Sequence, residues 1–567
     1  MKNIIITVIT SSLLAFSFIS CSDFFEVQPK DFISQDKLFT TSKGANTALA
    51  GIYNELMNQN LYGRTLINEL DTYSNDLCWG AVASPVGLGG WAYNAADQKM
   101  GELWRYLYEG VNRANLFLDN INSVTDLTTA EKQAMAAQAK FLRALFYFNL
   151  VQNWGAVPLK LSATTAPEAI HIPVTAADKV FEVIHADLDS AIAHLPKRSD
   201  YPAVDQSSRP SKTTAMALQA RVYLRQAGEP FNITPQVSYT AAAKYAGDVM
   251  ASKVHKLNPS FSQVFINLIT DKYDNVNNEN LMEVEFTYND VYTNLAGFPS
   301  LGAQMKYNGV DIIMAGGAVR TTRKLFNLYE TRDSITNTVV KGVPVANHYL
   351  LSKDQRRDWT IQDYTLVGSV YGGAKSKFSF VVDATHPLSN ATNVYYKRSL
   401  NETATIPGRC VGKWRRDYEA AGTLTAYGSP CNFPLIRYSE VLLIFAEADV
   451  MAKNQVTKEA LDAINEVKKR AAADTLVVPD IRALDVTAFK NELRDERARE
   501  LFGEGHRRHD LIRWGIFNDT FANLPMDDPT ISTWGRSIQG VKYLLLPYPA
   551  RETSTNNAMR GLQNPGW

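Results

Sequence analysis

TTAEKQAMAAQAKFLRALFYFNLVQNWG, residues 128–155, is the stretch on which the fold turns. Thr128-x-x-Glu131 is a capping box: hydroxyl and carboxylate each satisfy a backbone N–H left open at a helix start. A helix is expected from there through about Gln152, with Phe141, Leu145 and Phe148 on one face. The pattern continues on both sides. In 97–121, Leu103, Leu107, Val111, Ala114 and Leu118 recur at helical spacing. Thr175 is expected to cap a helix with the stripe Val180, Ile184, Leu188, Ile192 and Leu195, ended by Pro196. Ser211 opens 212–227, which Gly228 stops; 42–59 is an Ala-rich candidate, and a shorter helix is expected over 240–250.

A second helical block follows later. Ser439 is expected to cap 440–453 and Thr457 to cap 458–472, two antiparallel partners on a short loop, with a charged helix over about 487–502. Amphipathic pairs with Ala217, Ala220, Ala446 and Ala448 at contact positions resemble tetratricopeptide-like stacking, on pattern and not on a strict period. Between about 255 and 430, Gly, Asn, Asp, Tyr and Thr rise and long helical periods vanish. LMEVEF (281–286) and NVYYKR (393–398) read as short strands. The expected fold is therefore mainly α: a tetratricopeptide-like helix-pair superhelical scaffold with a loop-rich lobe containing short strands.

The chain has 567 residues, with 58 Lys plus Arg against 58 Asp plus Glu. A neutral chain without a basic stripe argues against nucleic acid as a partner. The N-terminus reads MKNIIITVITSSLLAFSFISC: a positive end at Lys2, an apolar run from Ile4 to Ile19, then Ser20 and Cys21. This is a signal peptide. A cysteine directly after the apolar run resembles a bacterial lipobox, with Phe18 standing where Leu is usual. Cys21 is the expected lipidation site, and several acyl chains on one cysteine hold firmly where one does not. No other run reaches 18 apolar residues, so the expectation is an exported chain anchored by lipid. The expected division is signal peptide 1–20, lipidated tether 21–35, N-terminal helical region 36–254, and C-terminal region 255–567 with a loop-rich insert over 255–430. Of the other cysteines, Cys410 and Cys431 are the plausible disulfide pair, worth about 3 kcal/mol.

Six segments follow in order: RALFYFNLVQNWGAVPL (143–159), RPSKTTAMALQARVYL (209–224), PLIRYSEVLLIFAEA (434–448), AINEVKKRA (463–471), RARELFGEGHRRHDLIRWG (497–515) and QNPGW (563–567). Together they resemble the SusD/RagB family of Bacteroidetes outer-membrane nutrient-binding lipoproteins. The resemblance spans the mature chain. It implies helix pairs with a looped ligand face, capture of glycans or, in some members, peptides, and a SusC-like TonB-dependent transporter as partner. Asp23 and Glu26 fit the acids that follow the lipidated cysteine in such proteins.

Two segments bear chemistry. In GEGHRRHD (503–510), His506, His509 and Asp510 share one helical face. The pattern is not HExxH and no distant His-rich segment completes a zinc site. Scaffold is the expected role, with Glu500, Glu504, Arg507, Arg508 and Arg513 in an ion-pair network and Gly503 and Gly505 allowing a backbone break. No metal or cofactor is expected. The second segment, INELDTYSNDLCWGAVASPVGLGGWAYNAAD (67–97), mixes Trp79, Trp91 and Tyr73 with Asp71, Asn75, Asp76 and Asn94 among glycines. Flat rings cover the apolar face of a sugar while amides and carboxylates bind its hydroxyls. These seven, with Tyr292 from a second Tyr/Asn-rich segment (286–309), form the expected ligand site; the other reading of the tryptophans is anchorage to the core. Asp71 and Asp76 would also make a glycosidase pair if they lay a few ångströms apart. That alternative ranks below binding, so no enzyme activity is expected.

Overall fold

The computed structural model describes residues 38–567 except 73–74, 81–86, 165, 167–169, 289–292, 295–304, 308–309, 313–318, 330, 341–342, 362–365, 372–376, 381–410, 415–417, 420–428, 473–483 and 526–532. The signal peptide, Cys21, the tether, Tyr73, Tyr292, Cys410 and the NVYYKR segment lie outside the described residues.

Six helices follow one another: Ser42–Leu56 (α1), Gln98–Asn120 (α2), Thr129–Trp154 (α3), Ala177–His194 (α4), Lys212–Ala227 (α5) and Pro235–Ala251 (α6). Each packs on the next. The caps are those the sequence announces in α3, where the Thr128–Glu131 box closes, and in α5, where Ser211 Oγ accepts from the Thr214 N–H. Thr175 is different: it pairs with Val157 in a two-residue ladder, and α4 starts one residue after an uncapped Ala176. The helix expected over 240–250 starts earlier, at Pro235, whose fixed φ suits a first helical position.

The loop-rich lobe contributes Phe261–Ile269 (α7), Arg323–Leu328 (α8), Gln355–Thr360 (α9), several short ladders and one longer antiparallel pair, Thr331–Val340 with Val343–Ser352. The chain then returns to the helical array through Tyr438–Lys453 (α10), Lys458–Ala471 (α11), Val486–Leu501 (α12), Arg507–Arg513 (α13) and Phe517–Ala522 (α14). Helix α10 packs directly on α6, so the superhelix continues across an insertion in sequence. The LMEVEF strand forms as Asn280–Val284 and pairs antiparallel with Phe433–Arg437, Phe433 facing Val284. Both strands are buried along their length rather than on alternate sides. That second strand runs straight into α10. The residue before the helix is therefore Arg437, and Ser439, the expected cap, lies inside it.

A buried ionic network ties the lobe to the array. Arg437 contacts Glu279, Glu500 and Glu504 at 2.8, 3.0 and 2.7 Å. Arg356 contacts Glu496 and Glu500 at 2.6 and 2.9 Å. These residues are at most 2–3% exposed. Burial raises the pKa of Glu500, but Arg470, Arg437, Arg356 and Lys413 outweigh it and hold the carboxyl well below its usual range.

Candidate functional site

The sequence-derived site comes apart in the structure. Asp71, Asn75 and Asp76 are 3%, 2% and 0% exposed. Thr65–Thr72 is a π-helix whose eight residues are all buried, and its last turn abuts α13. There Asp71 Oδ1 accepts from the Arg508 backbone N–H at 2.5 Å. Asp76 is clamped by Arg507 at 2.8 and 2.7 Å and by Lys324 at 2.6 Å. Burial raises the Asp76 pKa, yet the two cations prevail and hold it well below the carboxylate range. Asn75 folds back on its own loop, accepting the Leu77 N–H and donating to Asp71 O, both at 2.8 Å. A glycosidase pair needs carboxylates that reach the sugar, so that alternative is corrected: both acids brace the GEGHRRHD motif.

The two indoles are corrected likewise. Trp79 is 1% exposed and Trp91 7% exposed. An indole stacks on a sugar only through an open face. Trp91 instead packs against Phe517, Phe521 and Tyr543, ring centroids 5.4, 5.4 and 5.7 Å away, with the Arg508 guanidinium 5.4 Å from its ring. It occupies the left-handed region at φ 60°, a conformation the turn after Leu88–Gly90 imposes. Anchorage to the core is their role. Asn94 is exposed, its Oδ1 accepting the Ala96 N–H just before α2. Strand Cys78–Gly80 pairs with Val319–Thr321, Gly80 opposite Val319.

In the GEGHRRHD motif, α12 stops at Leu501 and α13 begins at Arg507. Gly503 and Gly505 make the break at φ +77° and +81°, and a Cβ on Gly505 would lie 2.8 Å from Ile67 Cδ1. Asp510 holds Arg497 at 2.8 and 3.0 Å and Arg513 at 2.9 Å. Burial lowers the His506 pKa to about 4 against the pull of Glu440. The motif is scaffold, as its residue types suggested.

The open site lies elsewhere. A surface groove of about 670 Å³ runs along α1, lined by Lys43, Asn46, Thr47, Ala50, Tyr53, Asn54 and Met57 on its floor. These positions fall three or four apart, on one outward stripe. Asp205, Ser208 and Arg209 form one wall; Glu283, Val284 and Glu285 form the other. Tyr53 is held by its hydroxyl, which donates to Gln138 Oε1 at 2.8 Å, with Arg209 6.0 Å from its ring. Asn46, Thr47 and Asn54 are exposed. Sequence reading missed all of these. The available signal was the polar stripe on α1, and the two glutamates two apart on one strand.

Glu283 is 3% exposed. Burial raises its pKa; the Asn280 bond lowers it and Glu285 raises it further, to about 7. Its folded pKa thus lies above the unfolded value of about 4.3. Keeping it ionised costs stability, and the cost grows as pH rises from about 4 to about 7. Glu283→Gln is therefore expected to stabilise the protein by about 2–3 kcal/mol at pH 8 and by little below pH 4.5, read from urea unfolding at both pH values. An equal effect at both would contradict the assignment.

The SusD family model matches residues 265–567, and a second model, described as starch-binding associating with outer membrane, matches residues 23–224. A SusD-like protein of Formosa agariphila is 24% identical over 98% of this chain and 97% of its own. The starch-binding protein SusD of Bacteroides thetaiotaomicron is 27% identical over 82% of this chain and 78% of its own. A SusD homolog from the same species, known as a crystal structure, superposes with a TM-score of 0.75 at 24% identity, covering 94% of this chain and 99% of that one. The helical array, the lobe inserted in it and a family match over more than half the residues lead to one conclusion: this chain belongs to the SusD family.

Proposed function

We propose that this protein is a cell-surface glycan-binding lipoprotein, anchored at the outer membrane through Cys21, that captures oligosaccharides and delivers them to a SusC-like TonB-dependent transporter. The α1 groove is the observation that carries the reading. Its floor offers a ring, a thioether and small apolar contacts for the C–H face of a sugar, flanked by amides, hydroxyls and carboxylates for its rim. Its volume matches a short oligosaccharide rather than a long polymer. Names among the relatives point the same way, toward starch binding and an outer-membrane association. No described helix is long and apolar enough to cross a membrane, which agrees with attachment by lipid. Asn94, exposed just before α2, is proposed to extend the contact surface for longer glycans. Binding, with no chemistry on the ligand, is the proposed role.

The test is calorimetric titration of the mature chain, lacking Cys21, with a panel of neutral oligosaccharides. Asn46→Ala combined with Asn54→Ala removes two exposed amides, each worth about 0.5–1.5 kcal/mol as a hydrogen bond. The double variant is expected to bind about tenfold more weakly with unchanged thermal stability. Full affinity in that variant would move the site away from α1. Absence of glycan binding, with a co-purified peptide identified by mass spectrometry, would replace glycan by peptide as the cargo.

A further inference from the structure

A second cavity, of about 70 Å³, lies inside the scaffold where the π-helix, α3, α5, α10 and the GEGHRRHD motif converge. Apolar side chains such as Leu66, Leu145 and Leu224 form part of its lining, and Arg225, Arg497 and His509 stand among the polar residues. Four buried nitrogens on these three side chains have no hydrogen-bond partner: Arg225 Nε and Nη2, Arg497 Nη1 and His509 Nδ1. Arg225 and Arg497 are 3% and 4% exposed. Buried donors in folded proteins are almost always satisfied, so a cluster of unmet ones around one cavity calls for an acceptor.

The charges indicate which acceptor. The carboxylates on the lining are already paired: Glu440 with Arg221, Glu504 with Lys413 and Arg437, Asp510 with Arg513 and with Nε and Nη2 of Arg497, whose Nη1 is left over, and Asp71 with the Arg508 N–H. Arg225 has no such counter-charge among the described residues. Its Nη1 donates to Glu229 O at 2.6 Å, and its guanidinium lies 4.6 Å from the Phe231 ring. Burial, together with the neighbouring Arg513 and Arg508, lowers its pKa to about 9 against the pull of Asp510, with which it makes no ion pair among the described residues. A buried cation without a partner is costly unless an anion accompanies it. A water molecule would accept from these donors but brings two protons needing acceptors of their own. A halide only accepts.

We propose that this cavity is a structural monovalent-anion site, holding one chloride-sized ion against Arg225, Arg497 and the Nδ1–H tautomer of His509. The cavity exceeds the space one water-sized occupant requires, about 10–15 Å³ on the same measure, so an ion with accompanying water fits. The ion would neutralise Arg225 and fix the contact between α5 and α13. This site shares no lining residue with the α1 groove and does not depend on glycan binding.

Two measurements test it. Crystals of the mature chain in sodium bromide, measured at the bromine absorption edge, are expected to show an anomalous peak between Arg225 and Arg497. In solution, replacing sodium isethionate by sodium chloride at constant ionic strength is expected to raise the melting temperature saturably, by about 1 °C at tenfold excess over Kd. Arg225→Gln should abolish that chloride dependence. No bromine peak in the cavity, together with equal melting in chloride and isethionate, would identify a water-filled cavity and overturn the proposal. Should Arg225→Gln fail to fold, the bromide experiment on the unaltered chain decides alone.

Discussion

Glu500→Ala is expected to destabilise the protein by about 3–5 kcal/mol, the usual cost of removing one partner from a buried ion pair. Glu500 is 0% exposed and accepts from Arg356 at 2.9 Å, Arg437 at 3.0 Å and Arg470. Its loss leaves three buried guanidiniums, Arg356, Arg437 and Arg470, sharing fewer carboxylates. The measurement is the urea midpoint at pH 7; a midpoint equal to that of the unaltered protein would show the network to be energetically idle. A pH dependence accompanies it. The native pKa values of Glu500, Glu504, Asp76 and Asp510 are all lowered, in each case by cations that outweigh the raising effect of burial. Stability from lowered carboxylates is fully present above the unfolded pKa of about 4.3 and is lost as pH falls through the native value. The unaltered protein should thus weaken steeply below pH 4.3, and Glu500→Ala should show a shallower acid slope.

Trp79→Ala and Trp91→Ala are each expected to cost about 3–5 kcal/mol, the range for truncating a large buried aromatic. Trp79 sits 6.5 Å from the Phe521 ring, and Trp91 joins Phe517, Phe521 and Tyr543 in one cluster, so the α14 segment loses one aromatic partner in either variant. Glycan affinity per folded molecule should stay within about twofold, while melting falls. The groove variants at Asn46 and Asn54 should do the reverse. A specific loss of binding in Trp91→Ala, without loss of stability, would return the indole to the ligand.

Much of the scaffold was legible because its signals are local. The Thr128–Glu131 box, the Ser211 and Thr457 caps and the 3.6-residue stripes act within a few residues of chain. Where a cap was misread, a tertiary contact had replaced the local one. Arg437 precedes α10 because strand pairing with Asn280–Val284 carries the chain into the helix, and Thr175 is drawn into a ladder by Val157. The role of GEGHRRHD as scaffold followed from its residue types. Its partners, Asp71 and Asp76, lie more than 430 positions away, and that separation hid them.

Composition made 67–97 look like a binding loop because aromatic, amide and glycine residues serve a sugar site and a packed turn equally well. Burial separates the two, and burial is a sum over neighbours from the whole chain. The groove shows the same limit in reverse: its floor, 43–57, and its walls, 205–209 and 283–285, have no common motif and meet through folding alone. By itself the sequence determined the helices, their order and their family, since each is written in short-range periodicity or in contiguous motifs. Which polar residues face solvent and which brace the interior was decided by the tertiary structure, because charge pairing and burial depend on distances that chain position does not encode.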